Sequence, residues 1–179
     1  MSDAAPDLGE RAAALRRAFD QGFAEPVRPD AAASEDFLGI VVGSEAYALR
    51  LTEIAGLFAG KKITRLPGRR AGLLGIAGFR GAILPVYGLQ NLLGAGSEAP
   101  PRWLAVAAGA PVALAFEGLE GQLRVTPDAV VPRQAQGGAS SFTRDVVRLG
   151  GRTLPVLHLP SILETIHSHN REAAPKGER

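Results

Sequence analysis

A twelve-residue segment of the chain occurs twice, seventy residues apart. The stretch AILPVYGLQNLL at residues 82–93 aligns without gaps on RTLPVLHLPSIL at residues 152–163, and the two share Leu-Pro-Val and two later leucines. The elements predicted around the two copies follow the same order, which indicates two small β units of one plan, each ending in a strand and a short helix. Short strands in so small a unit must curl and close to avoid bare edges, so we expect two small β-barrels that share a core.

Short apolar runs with a period of two indicate strands in both halves of the chain. The 22 glycines and 13 prolines favour many short strands over a few long helices. The segments predicted as strands are FLGIVVG, EAYALRL, ITRLP, GLLGIAGF, AILPVY, WLAVAA, PVALAFE, QLRV, FTRDVVRL and TLPVLHL. Residues 52–62 are predicted as a helical or irregular connection. Because Pro85 has no backbone donor, its strand is expected to lie at a sheet edge or to contain a bulge.

The clearest helical pattern covers residues 8–24. Leu8, Ala12, Leu15 and Phe19 recur at spacings of four, three and four, which places them on one face of a helix. An isolated helix of this length is only marginally stable in water. We therefore expect its apolar stripe to dock on a barrel or on a partner. A second, short helix is predicted at PSILETIH. The predicted organisation is an N-terminal helix and linker (1–35), a β domain (36–167) and a polar tail (168–179).

The residue types needed for catalysis or metal binding are missing or isolated. The chain has no cysteine, which excludes disulfides, thiol catalysis and cysteine metal sites. His167 and His169 lie near the C terminus without a neighbouring carboxylate cluster. The segment GLFAGKK is one residue short of phosphate-loop spacing and lacks the Ser or Thr that would bind magnesium. We predict no enzymatic activity, no cofactor and no metal site.

The chain is expected to be cytoplasmic. No apolar run approaches the roughly 20 residues that span a bilayer. The first residues, MSDAAPDLGERAAALRRAF, lack the apolar centre of a signal peptide.

Five basic residues lie within ten positions: Lys61, Lys62, Arg65, Arg69 and Arg70. Such a run is either a solvated loop or a contact for phosphate or for an acidic protein surface. A basic small β-barrel that binds single-stranded nucleic acid is therefore an alternative function. Barrels of that kind present aromatic stacking platforms beside the basic groove. Aromatic residues make up only 6% of this chain, and none lies between Phe58 and Phe79, which disfavours the alternative.

Arg80 stands in the sequence GFRG, just before the first Leu-Pro-Val strand. On a short turn between strands its side chain is expected to leave the barrel instead of facing the core. It would then pair locally with a carboxylate, cap backbone carbonyls, or contact a partner protein. The planar guanidinium makes arginine a frequent hot spot at protein interfaces.

The sequence resembles the CheW family, the adaptors that couple chemoreceptors to the histidine kinase CheA in bacterial chemotaxis. The resemblance covers roughly residues 36–166 in family order. It is found in FLGIVVGSEAYALRLTEI, ITRLPG, LLGIAGFRGAILPVYGL, VALAFEGLEGQLRVTPDAVVP and VVRLGGRTLPVLHLPSIL. It implies a mainly β fold of two five-stranded, SH3-like β-barrels around a shared apolar core. It also implies a non-catalytic adaptor that binds a methyl-accepting chemoreceptor tip and a CheA-type kinase regulatory domain, recruited to receptor arrays at the inner membrane without inserting into it.

The resemblance also implies a receptor site in the apolar groove between the barrels, near Ile54, Arg80 and Ile83. The residues predicted to bind partners are Arg80, Ile54, Ile83, Phe79, Val86, Leu15 and Phe19. The chain departs from the family pattern at Gly78, where the family usually has Asn, and at Gly56 and Gly88, where it usually has an acid. We expect these glycines to mark a divergent or accessory adaptor with a shifted partner preference.

Overall fold

A computed structural model describes residues 34–67, 70–96, 99–133 and 141–172 of the chain. The predicted N-terminal helix, with Leu15 and Phe19, lies outside the described residues. The strands are β1 (Glu35–Val42), β2 (Glu45–Arg50), β3 (Ile54–Ala59), β4 (Leu73–Phe79), β5 (Ala82–Gly88), β6 (Trp103–Ala107), β7 (Ala113–Phe116), β8 (Gly118–Val125), β9 (Val130–Pro132), β10 (Thr143–Leu149) and β11 (Arg152–Leu157). The helices are α1 (Leu89–Leu93) and α2 (Leu159–Glu172), and single 3-10 turns lie at Leu51–Glu53 and Pro127–Ala129.

The strands form two sheets, and each sheet takes strands from both halves of the chain. The first sheet has the order β8-β1-β2-β11-β10-β9, and the second has the order β3-β6-β7-β5-β4. In each sheet a hairpin from one half, β1–β2 or β6–β7, lies beside the Leu-Pro-Val hairpin of the other half, β10–β11 or β4–β5. The two units of one plan are therefore interleaved by an exchange of hairpins.

The two Leu-Pro-Val segments make equivalent parallel contacts. Val156 of β11 is opposite Ala48 of β2, and Val86 of β5 is opposite Ala113 of β7. Pairing of β5 with β7 begins at Val86, so Pro85 has a paired neighbour only on the β4 side. A residue without a backbone donor fits such a position. The strand that contains Pro85 is interior, so the edge alternative is wrong. The other alternative, a bulge, is found next to Pro85 but on β4, where the register shifts between Leu73 and Gly75 opposite Tyr87 and Val86.

One apolar core lies between the two sheets. It joins Ile40 and Leu49 of the first sheet to Leu114 and Phe116 of the second, and α2 adds Ile162. Each sheet also encloses a smaller cluster of its own, around Phe37, Val147 and Val156 in the first and around Phe79, Val86 and Leu104 in the second. The predicted mainly β fold with a shared core is confirmed, with six strands in the first sheet and five in the second.

The second sheet curls until its two edge strands meet. Phe58 of β3 and Phe79 of β4 pack edge to face, with ring centroids 5.0 Å apart and an interplanar angle of 67°. Because β3 and β4 are the first and last strands of this sheet, the ring pair closes it across its open side. Such edge-to-face pairs contribute about 0.5–1.5 kcal/mol beyond the area they bury.

Three predicted elements differ from the observed ones. Residues 54–59 form strand β3, whereas residues 52–62 were expected to be helical or irregular; the register shift between Ile54 and Gly56 interrupts the alternation that marks a strand. The segment ITRLP is not a strand and pairs with β4 only through the bridge between Thr64 and Ile76. Helix α2 extends to Glu172, beyond PSILETIH. Within the described ranges, no helix has the length and apolar character needed to cross a membrane.

Candidate functional site

Arg80 and Gly81 form a two-residue turn between β4 and β5. Both have left-handed backbone conformations, with φ values of 44° and 88°. Positive φ at both central residues is the geometry that matches the twist of a tight hairpin. Arg80 is the one residue other than glycine with positive φ among the described residues, and its side chain is exposed. The turn therefore places the guanidinium outside the sheet, as expected.

The Arg80 guanidinium lies over the ring of Phe58, with its central carbon 5.9 Å from the ring centroid. The Lys61 ammonium lies 5.4 Å from the same centroid. Neither cation forms an ion pair within the described part of the chain. Among the described residues, the local contact of Arg80 is thus a cation–π interaction, and neither of the two local alternatives, a carboxylate pair or a carbonyl cap, is found. At an exposed site such a contact contributes about 0.5–1 kcal/mol.

A shallow apolar groove of about 340 Å³ lies beside this turn, and we name it the Arg80 groove. Its lining residues are Ala55, Phe58, Phe79, Arg80, Ala82, Leu84 and Val106. They come from β3, β4, β5 and β6, so a single sheet forms the whole groove. Apolar side chains form most of the lining, and Arg80 supplies a positive charge at its border.

The predicted partner-binding residues do not all face this groove. Ile54 packs against the shared core, while its neighbour Ala55 lines the groove. Phe79 lines the groove although it is only 4% exposed, whereas Val86 is fully buried in the core of the second sheet and does not line it. Ile83 is 72% exposed, yet it is not among the lining residues.

A second groove of about 530 Å³, the α2 groove, lies where both sheets meet the start of α2. Its lining includes Thr52 and Glu53 from the turn after β2, Ala110 from the β6–β7 loop, and Leu159 and Leu163 from α2. The Glu53 carboxylate accepts the Leu159 backbone N–H at 3.0 Å. This groove fits the expected position between the barrels. Of the three residues expected near that groove, only Arg80 lines either groove; Ile54 and Ile83 line neither of the two.

Gly56, Gly78 and Gly88, where the chain departs from the family pattern, differ in the space available for a side chain. A β-carbon at Gly78 would meet no atom within 4 Å, so Asn fits there. A β-carbon at Gly88 would lie 3.3 Å from the Leu74 side chain, and one at Gly56 would lie 3.0 Å from the Phe58 ring. Gly78 is thus the position where the usual family side chain can be restored without repacking.

The contacts of Phe58 and Glu53 were not predicted from the sequence. Phe58 lies within the segment predicted as irregular, where no strand face could be assigned to it. Glu53 lies in that same segment, and its contact with Leu159 spans 106 positions of the sequence. The order of the strands, which brings these residues together, could not be inferred from local pattern.

The metal-ligating side chains and the histidines of the described residues can be placed individually. No three His, Cys, Asp or Glu side chains in those ranges are placed to bind a metal ion. His158 has a structural role, because its Nδ1 accepts the Ser161 backbone N–H at 3.2 Å and so caps α2. The basic residues Lys61 and Arg65 line a groove without an aromatic side chain, so the stacking platform expected of a single-strand binder is not present in it.

Two interleaved sheets around one shared apolar core define a two-barrel β domain. The model of the CheW-like domain family matches residues 36–167. The chain belongs to the CheW-like domain family.

A solved structure with the same fold is the scaffolding protein TtCheW from Thermoanaerobacter tengcongensis. The TM-score is 0.63 at 16% sequence identity, and the match covers 69% of this chain and 88% of TtCheW. Comparison with curated protein sequences finds no significant match.

Proposed function

We propose that the protein is a non-catalytic chemotaxis adaptor that couples a methyl-accepting chemoreceptor tip to the regulatory domain of a CheA-type histidine kinase. Membership of the CheW-like family and the fold shared with the scaffolding protein TtCheW support this function. An adaptor of this kind would act at receptor arrays, on the cytoplasmic side of the inner membrane.

The observation that most favours a partner-binding role is the placement of Arg80. Its backbone adopts a conformation that is unfavourable for residues other than glycine, and its guanidinium lies at the border of an apolar groove. The guanidinium lies over the ring of Phe58, which in turn packs against Phe79. An arginine fixed beside apolar surface loses less side-chain entropy on binding than a free one, which favours a role as an interface anchor.

Calorimetric titration tests this proposal. The full chain is titrated with a chemoreceptor tip fragment and, separately, with a CheA-type regulatory domain. We expect both to bind, and Arg80→Ala to weaken one of the two interactions by about 2 kcal/mol, which is roughly thirtyfold in Kd. Arg148→Ala is the matched control, because Arg148 is an exposed arginine on β10, away from both grooves.

Two results would contradict the proposal. The unaltered chain could bind neither partner, in which case adaptor function is wrong. Arg80→Ala could instead behave like Arg148→Ala in both titrations, in which case the Arg80 groove is not a contact surface and only the α2 groove is left for the partners.

A further inference from the structure

The charges of the chain are unequally divided between its two sheets. Residues 54–116, which contain all five strands of the second sheet, include seven lysines and arginines and a single acid, Glu98. This stretch therefore has a formal charge of +6, while the rest of the chain has −4, giving the total of +2. The near-neutral total charge is therefore the sum of a strongly basic stretch, which contains the second sheet, and a net acidic remainder.

Three arginines of the first sheet, Arg50, Arg124 and Arg152, are paired with carboxylates within the fold. Arg50 contacts Asp145 at 2.7 Å, and Arg152 contacts Glu120 at 3.0 Å. Arg124 lies 3.0 Å from Asp36, and this hydrogen bond holds the pKa of the Asp36 carboxyl below its ordinary value. These pairs compensate part of the positive charge of the first sheet, while Arg144 and Arg148 on β10 form no ion pair among the described residues.

Most cations of residues 54–116 lie in the segments that connect the strands of the second sheet, and those within the described ranges have no such partners. Among the described residues, six cations form no ion pair: Lys61, Lys62, Arg65, Arg70, Arg80 and Arg102. All six side chains are exposed. A concentration of uncompensated charge on one sheet attracts an oppositely charged surface and raises its rate of association.

Part of this charge lies around a groove of about 470 Å³, which we name the basic groove. Its lining residues are Lys61, Ile63, Arg65, Leu66, Leu73, Leu74, Pro100 and Pro101. Lys61, Ile63 and Arg65 are alternate residues of one segment, the pattern of extended backbone. In such backbone the first and last of these residues are roughly 13 Å apart. Two cations thus flank an isoleucine along one lining segment, and leucines and prolines complete the lining.

We propose that the basic groove is a separate docking surface for an acidic, apolar segment of a partner protein. The segment that fits has two carboxylates about four residues apart in extended conformation, with an apolar side chain between them. The carboxylates would contact Lys61 and Arg65, and the apolar side chain would be buried against Ile63 and the leucines.

The lining of the groove favours a protein partner over a nucleic acid or a membrane. A phosphate backbone needs cations but no apolar floor, and single-stranded bases need aromatic rings on which to stack. The basic groove offers apolar side chains and prolines and no aromatic ring. An acidic peptide with a central apolar side chain uses both its charge and its apolar surface.

This inference does not depend on receptor or kinase coupling. The titrations above use receptor and kinase fragments and the Arg80 groove, whereas the basic groove is tested with a synthetic peptide and Arg65. Either proposal can therefore fail while the other holds.

The probe is a fluorescent peptide with the core Glu-Val-Leu-Val-Glu, compared with a control in which both Glu are Gln. We expect the Glu peptide to bind the full chain at least about tenfold more tightly at roughly 50 mM salt, and this difference to shrink at roughly 1 M salt because of screening. Arg65→Glu should abolish the preference for the Glu peptide. Arg148→Glu, the same exposed substitution on the first sheet, should leave it within about twofold.

Three outcomes would overturn the proposal. Equal binding of the two peptides would show that charge is not recognised. Equal effects of Arg65→Glu and Arg148→Glu would show that the basic groove is not the site. Tighter binding of a polythymidine oligonucleotide, or of phosphatidylglycerol vesicles, than of the Glu peptide would assign the groove to polyanions instead of proteins.

Discussion

The guanidinium of Arg80 and the ring of Phe58 meet across the open side of the second sheet. Arg80 follows β4 and Phe58 lies in β3, so the two residues belong to opposite edges of one sheet. Phe79, next to Arg80, packs edge to face on the same ring. One aromatic side chain therefore closes the sheet and also orients the exposed arginine that we propose as a partner contact.

Two substitutions at Arg80 distinguish the energetic contribution of the backbone conformation of the turn from that of the side chain. Arg80→Ala loses the cation–π contact and keeps a positive φ, whereas Arg80→Gly loses the contact and removes the backbone strain. The free energy of unfolding should therefore be about 1 kcal/mol higher for Arg80→Gly than for Arg80→Ala. Denaturant unfolding of both variants measures this difference. If the alanine variant is the more stable one, the left-handed turn is not a feature of the folded protein.

Gly75 on β4 should tolerate no side chain. Its φ is 148°, and a β-carbon there would collide with the backbone of Thr64, which exchanges hydrogen bonds of 2.8 and 2.9 Å with Ile76. Gly75→Ala should lower the free energy of unfolding by about 3 kcal/mol or more, because the segment before β4 must detach. Gly78→Ala, three residues along the same strand, has open space at its β-carbon and should change it by less than about 1 kcal/mol. Similar losses in the two variants would rule out this close approach.

The sequence repeat predicted more of the fold than of the site. The two Leu-Pro-Val strands, the helix after each and the shared core follow from local pattern and from the need to bury apolar residues. The exchange of hairpins does not follow from local pattern. Both halves have the same plan, so hairpins kept within one half and hairpins exchanged between the halves would satisfy the sequence pattern equally. The exposed position of Arg80 could be predicted from the residues of its turn. Phe58 and Glu53, in contrast, act through contacts between distant segments. Such contacts depend on strand order, which no local spacing in this chain reveals.

The residue before α2 should contribute to its stability as an N-cap. His158 accepts the Ser161 N–H through Nδ1, and the Leu159 N–H is bound by Glu53. His158→Ala should lower the free energy of unfolding by about 1 kcal/mol, while His158→Asn should preserve it within a few tenths, roughly, because the Asn side chain also caps. His167→Ala, at an exposed position of the same helix, is the control. Equal stability of the Ala and Asn variants at position 158 would exclude a capping role.

Restoring the side chain usual in the family at Gly78 should strengthen receptor binding. The position has open space, so Gly78→Asn should leave the fold intact and add a polar side chain on the strand that leads into the Arg80 turn. We expect the Kd for a standard chemoreceptor tip fragment to fall by about three- to tenfold in calorimetry, equivalent to one additional hydrogen bond. Gly78→Ala serves as the control for the loss of glycine. An unchanged Kd would reject the divergent or accessory adaptor.

Coupling itself is tested most directly by retention of the kinase on an immobilised receptor. A chemoreceptor tip fragment is fixed to a surface, a CheA-type regulatory domain is passed over it, and the bound kinase domain is measured with and without the full chain. We predict that the kinase domain is retained only when the chain is present, and that retention falls at least about tenfold with Arg80→Ala but not with Arg148→Ala. Retention that is equal with and without the chain, or absent in both cases, would contradict the adaptor function.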